Sequence, residues 1–206
     1  HEHLDITDDL LLGTIIYNVA MGINTHKSIS PLITSQKQML ELTRLWINDS
    51  LGKNTESWVI ARSFEYIRKN RPEIKLLISY SDVGAGHKGG IYQATNWIYQ
   101  GKFGETNKMY SFDGGKSWKH DKALFNSTGL SNHKQLLKVL PRPFLVKTGS
   151  PKHRYIYPLC SKIERKQMIE SLKYSPKPYP KESGEHKDNI VEYRNDFTSN
   201  SNEFWA

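Results

Sequence analysis

One short segment, residues 76–99, constrains the fold of this chain more than any other part of the sequence. It begins with the apolar run Leu76–Ile78, which predicts a buried strand that ends near Asp82. A glycine-rich loop containing His87 follows, and an amphipathic helix is predicted to begin near Ile91. A buried strand that leads through glycines into a helix places polar groups beside a helix N-terminus, where ligands commonly bind.

The residues before this segment predict a second strand and helix of the same kind. Met39–Asn48 alternates well enough for a strand, and Asn54 or Thr55 can cap a helix that runs to about Asn70. The order strand, helix, strand, helix over residues 39–99 favours two parallel neighbouring strands joined by a right-handed crossover. The pattern therefore predicts an α/β fold.

The remaining predicted elements fit one domain followed by a tail. A chain of 206 residues is long enough for one well-buried domain and short for two. We expect a domain over residues 1–181 and a polar, mildly acidic tail over residues 182–206. Its other predicted elements are strands at Leu10–Ala20, Lys102–Tyr110 and His153–Pro158 and helices at Ser131–Leu140 and Lys162–Leu172.

Charge and cysteine content indicate a partner and a compartment. The net charge of +8 favours a polyanionic partner, because Lys and Arg that neutralise phosphates release counterions. No apolar run approaches the roughly 20 residues that a membrane helix needs, so we expect no membrane partner. The single cysteine, Cys160, rules out an intramolecular disulfide and favours the cytoplasm.

A dense pattern of residue types, S-Y-x-D-x-x-x-G-H-x-G-x-I-Y-Q-A-x-x-W-x-Y, begins at Ser79. This pattern resembles the Mom family, phage enzymes that modify adenine in DNA, and the resemblance is closest across Glu41–Gly101. It implies a GNAT-like acyltransferase fold, with a mixed central sheet and flanking helices, that uses acetyl-CoA. Iron is a second candidate cofactor by the same resemblance.

The implied activity converts adenine in double-stranded DNA to N6-carbamoylmethyl (acetamido) adenine and protects phage DNA from restriction. The adenine would be flipped out of the duplex, as enzymes that act on bases require. Two alternatives stay open: an ordinary GNAT N-acetyltransferase of a protein or small-molecule amine, and a non-enzymatic basic nucleic-acid-binding protein. The oligomeric state stays open too, with a dimer as one alternative.

The cofactor candidates lie where the first predicted helix begins. In GNAT-type folds the loop before this helix binds the pyrophosphate of CoA through backbone N–H groups, and an exposed helix N-terminus supplies such donors. The glycine-rich sequence motif that is usual in this loop of GNAT proteins is absent here. An ordinary capped helix is the alternative interpretation. The predicted cofactor-binding residues are Lys53, Asn54, Thr55 and Ser57.

Asp82, Tyr92 and Arg44 are the predicted catalytic residues. A carboxylate at a strand end can accept a proton, and Tyr92 lies ten residues on and could turn back toward it. Arg44 lies mid-strand, where a guanidinium faces solvent or meets an anion. All three match Mom positions, although Asp82 could instead cap the glycine loop and Tyr92 could be core packing.

The predicted metal ligands are Asp82, Tyr92 and His3. Family members carry a histidine, often followed by tyrosine, ahead of the second strand, and this chain lacks that tyrosine. Four aromatic residues are predicted to pack in the core or to stack on an extruded base: Trp97, Tyr99, Tyr155 and Tyr157. The predicted nucleic-acid contacts, whose alternative is a solvated basic face, are His87, Lys88, Lys152, Arg154, Arg165 and Lys166.

Overall fold

The computed structural model describes residues 11–20, 24–104, 107–182 and 184–194. Its contacts divide the chain into two compact units. The first unit comprises residues 1–102 and 153–184, and the second comprises residues 103–152 and 185–206. The prediction of a single domain over residues 1–181 stays a prediction.

The chain forms nine strands and five helices within the described residues. The strands are β1 (Gly13–Val19), β2 (Met39–Ile47), β3 (Leu76–Asp82), β4 (Ile98–Phe103), β5 (Lys108–Ser111), β6 (Lys119–His120), β7 (Phe144–Thr148), β8 (Lys152–Pro158) and β9 (Val191–Tyr193). The helices are α1 (Thr55–Asn70), α2 (Gly90–Ala94), α3 (Asp121–Thr128), α4 (His133–Val139) and α5 (Lys162–Glu170). No described helix has the length and apolarity needed to cross a membrane.

The first unit is built on a five-stranded sheet in the order β1-β2-β3-β8-β4. Strands β1 and β2 are antiparallel, whereas β2 and β3 are parallel and are connected through α1. The predicted α/β fold with a mixed central sheet and flanking helices is therefore confirmed. The predicted parallel pairing of these two strands is confirmed as well.

Two hydrophobic clusters form around the sheet because residues of a strand alternate between its faces. In β3, Leu77 belongs to one cluster and Leu76 and Ile78 belong to the other. Helix α1 packs on the first cluster through Ile60, Phe64 and Ile67, whose helical spacing predicted this face. That cluster also contains the aromatic residues expected in the core: Trp97, Tyr99 and Tyr155, with Tyr157 packed against it.

Helix α2 is shorter than the sequence predicted, because the chain reverses just after Ala94. Asn96 has a φ of 59°, and the Trp97 amide donates to the Tyr92 carbonyl at 3.0 Å. A left-handed residue followed by such a bond terminates a helix, and Asn takes this conformation more readily than most residues. Trp97 therefore follows the helix instead of extending it, and β4 begins at Ile98.

The second unit contains an antiparallel sheet in the order β6-β5-β7-β9. Helices α3 and α4 contribute to its core, which includes Leu124, Leu137, Phe144 and Val146. Strand β9 pairs with β7 and lies in the segment that the sequence predicted as a tail. Residues 195–206 of that segment lie outside the described part of the chain.

Candidate active site

Strands β2 and β3 pair only where they begin and then separate. The parallel register joins Met39–Glu41 to Leu76–Ile78, while both strands continue beyond it, to Ile47 and Asp82. Immediately past the paired region, the Ser79 hydroxyl donates to the Leu42 carbonyl at 2.7 Å. At the point where the strands diverge, a hydrogen bond from a side chain thus replaces the backbone hydrogen bond that would otherwise continue the pairing of β2 and β3.

Tyr92 of α2 completes a hydrogen-bonded chain at this split. Its hydroxyl lies 2.7 Å from Ser79 Oγ, and Ser79 has a single proton to donate. Ser79 Oγ lies within hydrogen-bond distance of two acceptors, the Leu42 carbonyl and the Tyr92 hydroxyl oxygen, and donates its single proton to one of them at a time. When Ser79 donates to Tyr92, the Tyr92 oxygen accepts that bond and its own proton is left for another acceptor.

Aromatic packing fixes the Tyr92 ring. Its centroid lies 5.2 Å from that of Trp97 and 5.1 Å from that of Tyr155. Burial raises the pKa of Tyr92 above its ordinary value, more than the bond with Ser79 lowers it. Tyr92 is therefore a neutral phenol that can donate a hydrogen bond and is a weaker acid than an exposed tyrosine.

A bulge in β2 lies beside this split. The register with β1 shifts between Ile16 and Tyr17, so that Thr43 is an extra residue between Leu42 and Arg44. The Arg44 side chain is exposed, and its Nη1 donates to the Thr43 carbonyl at 2.9 Å. The predicted catalytic arginine is accordingly available to an anion at the surface of the sheet.

A cleft of about 480 Å³ lies beyond the bulge, between the end of β2, the start of α1 and α2. Gly90 contributes to its wall, and a Cβ built on this glycine would have no atom within 4 Å. The cleft is thus open at the helix next to Tyr92. Its lining residues are Leu45, Trp46, Ile47, Glu56, Gly90, Ile91 and Ala94.

The N-terminus of α1 offers backbone donors to this cleft. Asn54 adopts a left-handed conformation, with φ at 68°, and its side chain makes no capping hydrogen bond. Because the first amides of a helix have no intrahelical acceptor, those of Thr55, Glu56 and Ser57 remain available to an anion. Lys53 and Asn54 are both exposed just ahead of them.

The predicted side-chain donors at this terminus need a correction. The Thr55 hydroxyl donates to the Leu51 carbonyl at 2.9 Å, and the Ser57 hydroxyl donates to the Asn54 carbonyl at 2.9 Å. Each hydroxyl has one proton, so neither is free to donate to a phosphate. These residues would contribute their amides, and Glu56 places a carboxylate at the cleft that disfavours an anion close to it.

Asp82 lies apart from Tyr92. Alternation along β3 places it on the face of Ile78, whereas Ser79, the partner of Tyr92, faces the opposite side. Its carboxylate accepts from the Gly84 amide at 2.9 Å, and its carbonyl accepts from the His87 amide at 3.0 Å. These bonds shape the glycine loop, as the alternative interpretation of Asp82 predicts.

The predicted metal set does not fit this arrangement. The Tyr92 hydroxyl is bonded to Ser79 and Asp82 faces the other side of β3, so the two do not converge on one ion. In the described ranges, no group of three His, Cys, Asp or Glu residues could hold a metal ion. His3 lies outside the described residues.

One predicted nucleic-acid contact is not on the surface. Arg154 is only 3% exposed, and its Nη1 donates to Ser28 Oγ at 3.3 Å, since β8 lies between β3 and β4 and is buried on both faces. Arg165 is half-buried, with its guanidinium 5.0 Å from the Tyr157 ring centroid. The other predicted contacts are exposed: His87, Lys88, Lys152 and Lys166.

Sequence reasoning missed Ser79 as a functional residue. The signal was a small polar residue directly after an apolar run, but only the separation of the strands shows what its hydroxyl bonds. It also missed why Gly89 is a glycine: φ is +74°, and a Cβ there would lie 2.5 Å from Cε2 of Tyr155. That close approach fixes the loop that carries α2.

Comparison with known proteins agrees with the motif in β3 and α2. Methylcarbamoylase mom of Escherichia phage Mu is 28% identical over 171 residues, which cover 83% of this chain and 68% of that protein. An acetyltransferase of Bacillus subtilis in complex with CoA matches with a TM-score of 0.39 and 11% identity, covering 75% of this chain and 74% of its own. That score is too low to support an argument, and the fold rests on the strand order.

The family model described as the Mom protein family matches residues 6–181, a span that includes the split strands, the cleft and Tyr92. This match covers most of the chain. The chain therefore belongs to the Mom protein family.

Proposed function

We propose that this protein modifies adenine in DNA, using an acyl-CoA as donor and leaving a carbamoylmethyl (acetamido) group on N6. Membership of the Mom family and the similarity to a methylcarbamoylase support the proposal. The observation that carries the acyl-CoA part is the separation of β2 and β3. Past the separation, the end of β2 lines a cleft whose wall also includes α2, the helix of Tyr92.

The residues around the cleft fit a CoA molecule. Backbone amides at Thr55–Ser57 would hold the pyrophosphate, with Lys53 adding a positive charge. Leu45, Ile91 and Ala94 would contact the less polar pantetheine arm. Acetyl-CoA would supply the two carbon atoms of the carbamoylmethyl group. An ammonia donor would displace the CoA thiol to form the amide, and the bond between the methyl carbon and adenine N6 would release two hydrogens to a two-electron acceptor of the cell.

Tyr92 and Ser79 hold a proton where the strands diverge. Ser79 holds the Tyr92 oxygen in place by donating to it, which leaves the Tyr92 proton for a hydrogen bond to a group that becomes negative in the reaction. Arg44, exposed on β2, would bind an anionic group that approaches from solvent.

The substrate side of the proposal is duplex DNA with its adenine flipped out. The net charge of +8 favours such a partner, and the site must reach an amine that pairing otherwise covers. Modified phage DNA would be protected from restriction in the cytoplasm of the host.

Mass spectrometry of nucleosides from cells that express the protein tests this function. We expect an adenine nucleoside carrying the carbamoylmethyl group, and binding of acetyl-CoA by the purified protein. Acetyl-CoA binding with an unmodified adenine profile would favour an ordinary acetyltransferase. DNA binding with neither acetyl-CoA binding nor modification would favour a non-enzymatic binding protein.

A further inference from the structure

Most of the chain's net positive charge lies in one stretch of the second unit. Residues 103–152 contain nine Lys or Arg and three Asp or Glu, whereas the rest of the chain contains 20 and 18. About three quarters of the net charge of +8 therefore comes from about a quarter of the length. The first unit contains 18 Lys or Arg and 13 Asp or Glu in a much longer sequence, so the stretch is the more densely charged, while residues 185–206 of the second unit contain two Lys or Arg and five Asp or Glu.

Exposed lysines of this stretch have no acidic partner in the part of the chain that the structure describes. Its acids are engaged elsewhere: Asp121 lies 2.5 Å from His120 and 3.5 Å from His133, and Asp113 accepts from Ser111 and Ser117. The exposed lysines without a carboxylate oxygen within 4.0 Å are Lys116, Lys119, Lys122, Lys134, Lys138 and Lys152.

The acids of the C-terminal segment are also occupied. Asp188 binds Lys147 at 2.7 Å, and Glu192 binds Arg194 at 2.9 Å. Neither of these carboxylates contacts the exposed lysines. The second unit therefore keeps a surface charge that its own described acids do not neutralise.

Four of the lysines lie on three neighbouring elements, because β6 and α4 each contact α3. The contact between Asp121 and His133 joins the starts of the two helices, and Lys122 and Lys134 follow these residues directly. Lys138 lies one turn beyond Lys134 on the same face of α4, and Lys119 is in β6 just before α3. We call this set, Lys119, Lys122, Lys134 and Lys138, the lysine patch.

We propose that the lysine patch binds the phosphates of duplex DNA. Like charges held near one another repel, and a polyanion that neutralises them releases its condensed counterions. The choice of DNA among polyanions rests on the proposed function. The first unit then carries out the modification of adenine, and the lysine patch of the second unit contributes a large part of the affinity for duplex DNA.

The chemistry of the patch also defines the kind of recognition. A lysine ammonium is a compact point charge without the planar fork with which arginine reads guanine. The patch therefore binds the DNA backbone irrespective of sequence. Any choice of target adenine must come from other residues.

The test compares two quadruple variants with equal changes in net charge. In the first, all four residues of the lysine patch become alanine. In the second, four exposed basic residues of the first unit, which make no ion pair within the described residues, become alanine: Lys27, Lys37, Arg68 and Lys69. Duplex binding is measured by fluorescence anisotropy over a series of salt concentrations, and thermal unfolding confirms that each variant folds.

Each lost phosphate contact should reduce the slope of log K against log salt by about 0.9. We expect the patch variant to lose about 3 to 4 in slope, and the control variant to lose less than about 1. Equal losses in both variants, or no loss in the patch variant, would overturn the proposal. Wild-type protein that binds DNA through the patch yet leaves adenine unmodified would overturn the proposed function alone.

Discussion

The two units bury polar side chains in similar proportion but differ in what those side chains do. Among the described residues, the first unit buries seven polar or charged residues beside 19 apolar ones, and the second buries Ser111 and Asp121 beside seven apolar ones. Buried polar groups cost stability unless they are bonded, and in the first unit Ser79 bonds at the point where β2 and β3 separate. The second unit carries exposed lysines without a described acidic partner, which suits it to bind an anion.

The first prediction removes one buried hydroxyl from each unit. Tyr92→Phe keeps the ring packing but removes the proton at the split, so we expect adenine modification to fall by about 10² or more. Tyr110→Phe removes a hydroxyl that lies 3.0 Å from His133 Nδ1 in the second unit, and should leave the modification rate of folded protein unchanged. Nucleoside mass spectrometry measures both, and equal rates in the two variants would remove Tyr92 from the mechanism.

The second prediction compares two glycines with nearly the same backbone conformation. Gly89 and Gly129 have φ of +74° and +70°, but a Cβ would meet Tyr155 only at Gly89. Gly129→Ala should cost about 1–2 kcal/mol through its left-handed conformation. Gly89→Ala should cost about 1–3 kcal/mol more, since the tyrosine must move.

Chemical denaturation of the two alanine variants measures this difference. Equal losses of unfolding free energy would show that the Tyr155 ring moves away from the new Cβ without lowering the stability of the protein. In that case the loop before α2 would not be fixed by the aromatic core.

The third prediction fills the cleft. A side chain at Gly90 would enter open space, so Gly90→Leu should weaken acetyl-CoA binding about 10-fold or more through steric exclusion. Stability should hold or rise slightly, because leucine favours a helix more than glycine does. Ala123→Leu on an exposed position of α3 is the control, and calorimetry with acetyl-CoA is the measurement. Unchanged affinity in Gly90→Leu would place the cofactor elsewhere.

The fourth and smallest effect concerns pH. Burial raises the pKa of Tyr17 and of Tyr155 to about 12, from 10.0. The unfolded chain therefore releases these protons first, and stability falls as pH rises from about 10 to about 12. Tyr17→Phe should make the decline shallower in urea titrations across this range. An identical decline in this variant would assign the effect to other groups.

Local signals predicted the first unit far better than the second. Helix α1 was predicted to within a residue, because a cap, a periodic apolar face and Arg71-Pro72 all lie within its own sequence. Strands β5 and β7 are four and five residues long, and β7 pairs with β9 more than 40 positions away. Such short strands depend on distant partners, and no local pattern specifies them.

The sequence predicted only part of the site, because the missing part depends on how the strands pair. The motif identified Tyr92, and the resemblance to GNAT-type folds identified the start of α1, but the spacing also suggested that Tyr92 turns toward Asp82. The faces of β3 decide otherwise, because Ser79 and Asp82 are an odd number of residues apart. The role of Ser79 depends on where two strands separate, and a single sequence does not contain that information.

The most direct test of the central claim follows the acyl group itself. Extracts of expressing cells receive isotopically labelled acetyl-CoA and unmodified duplex DNA, and the adenine nucleosides are analysed by mass spectrometry. The account predicts that the label appears in a carbamoylmethyl adenine nucleoside with wild-type protein and is nearly lost with Tyr92→Phe. A modified adenine nucleoside that carries no label would contradict it.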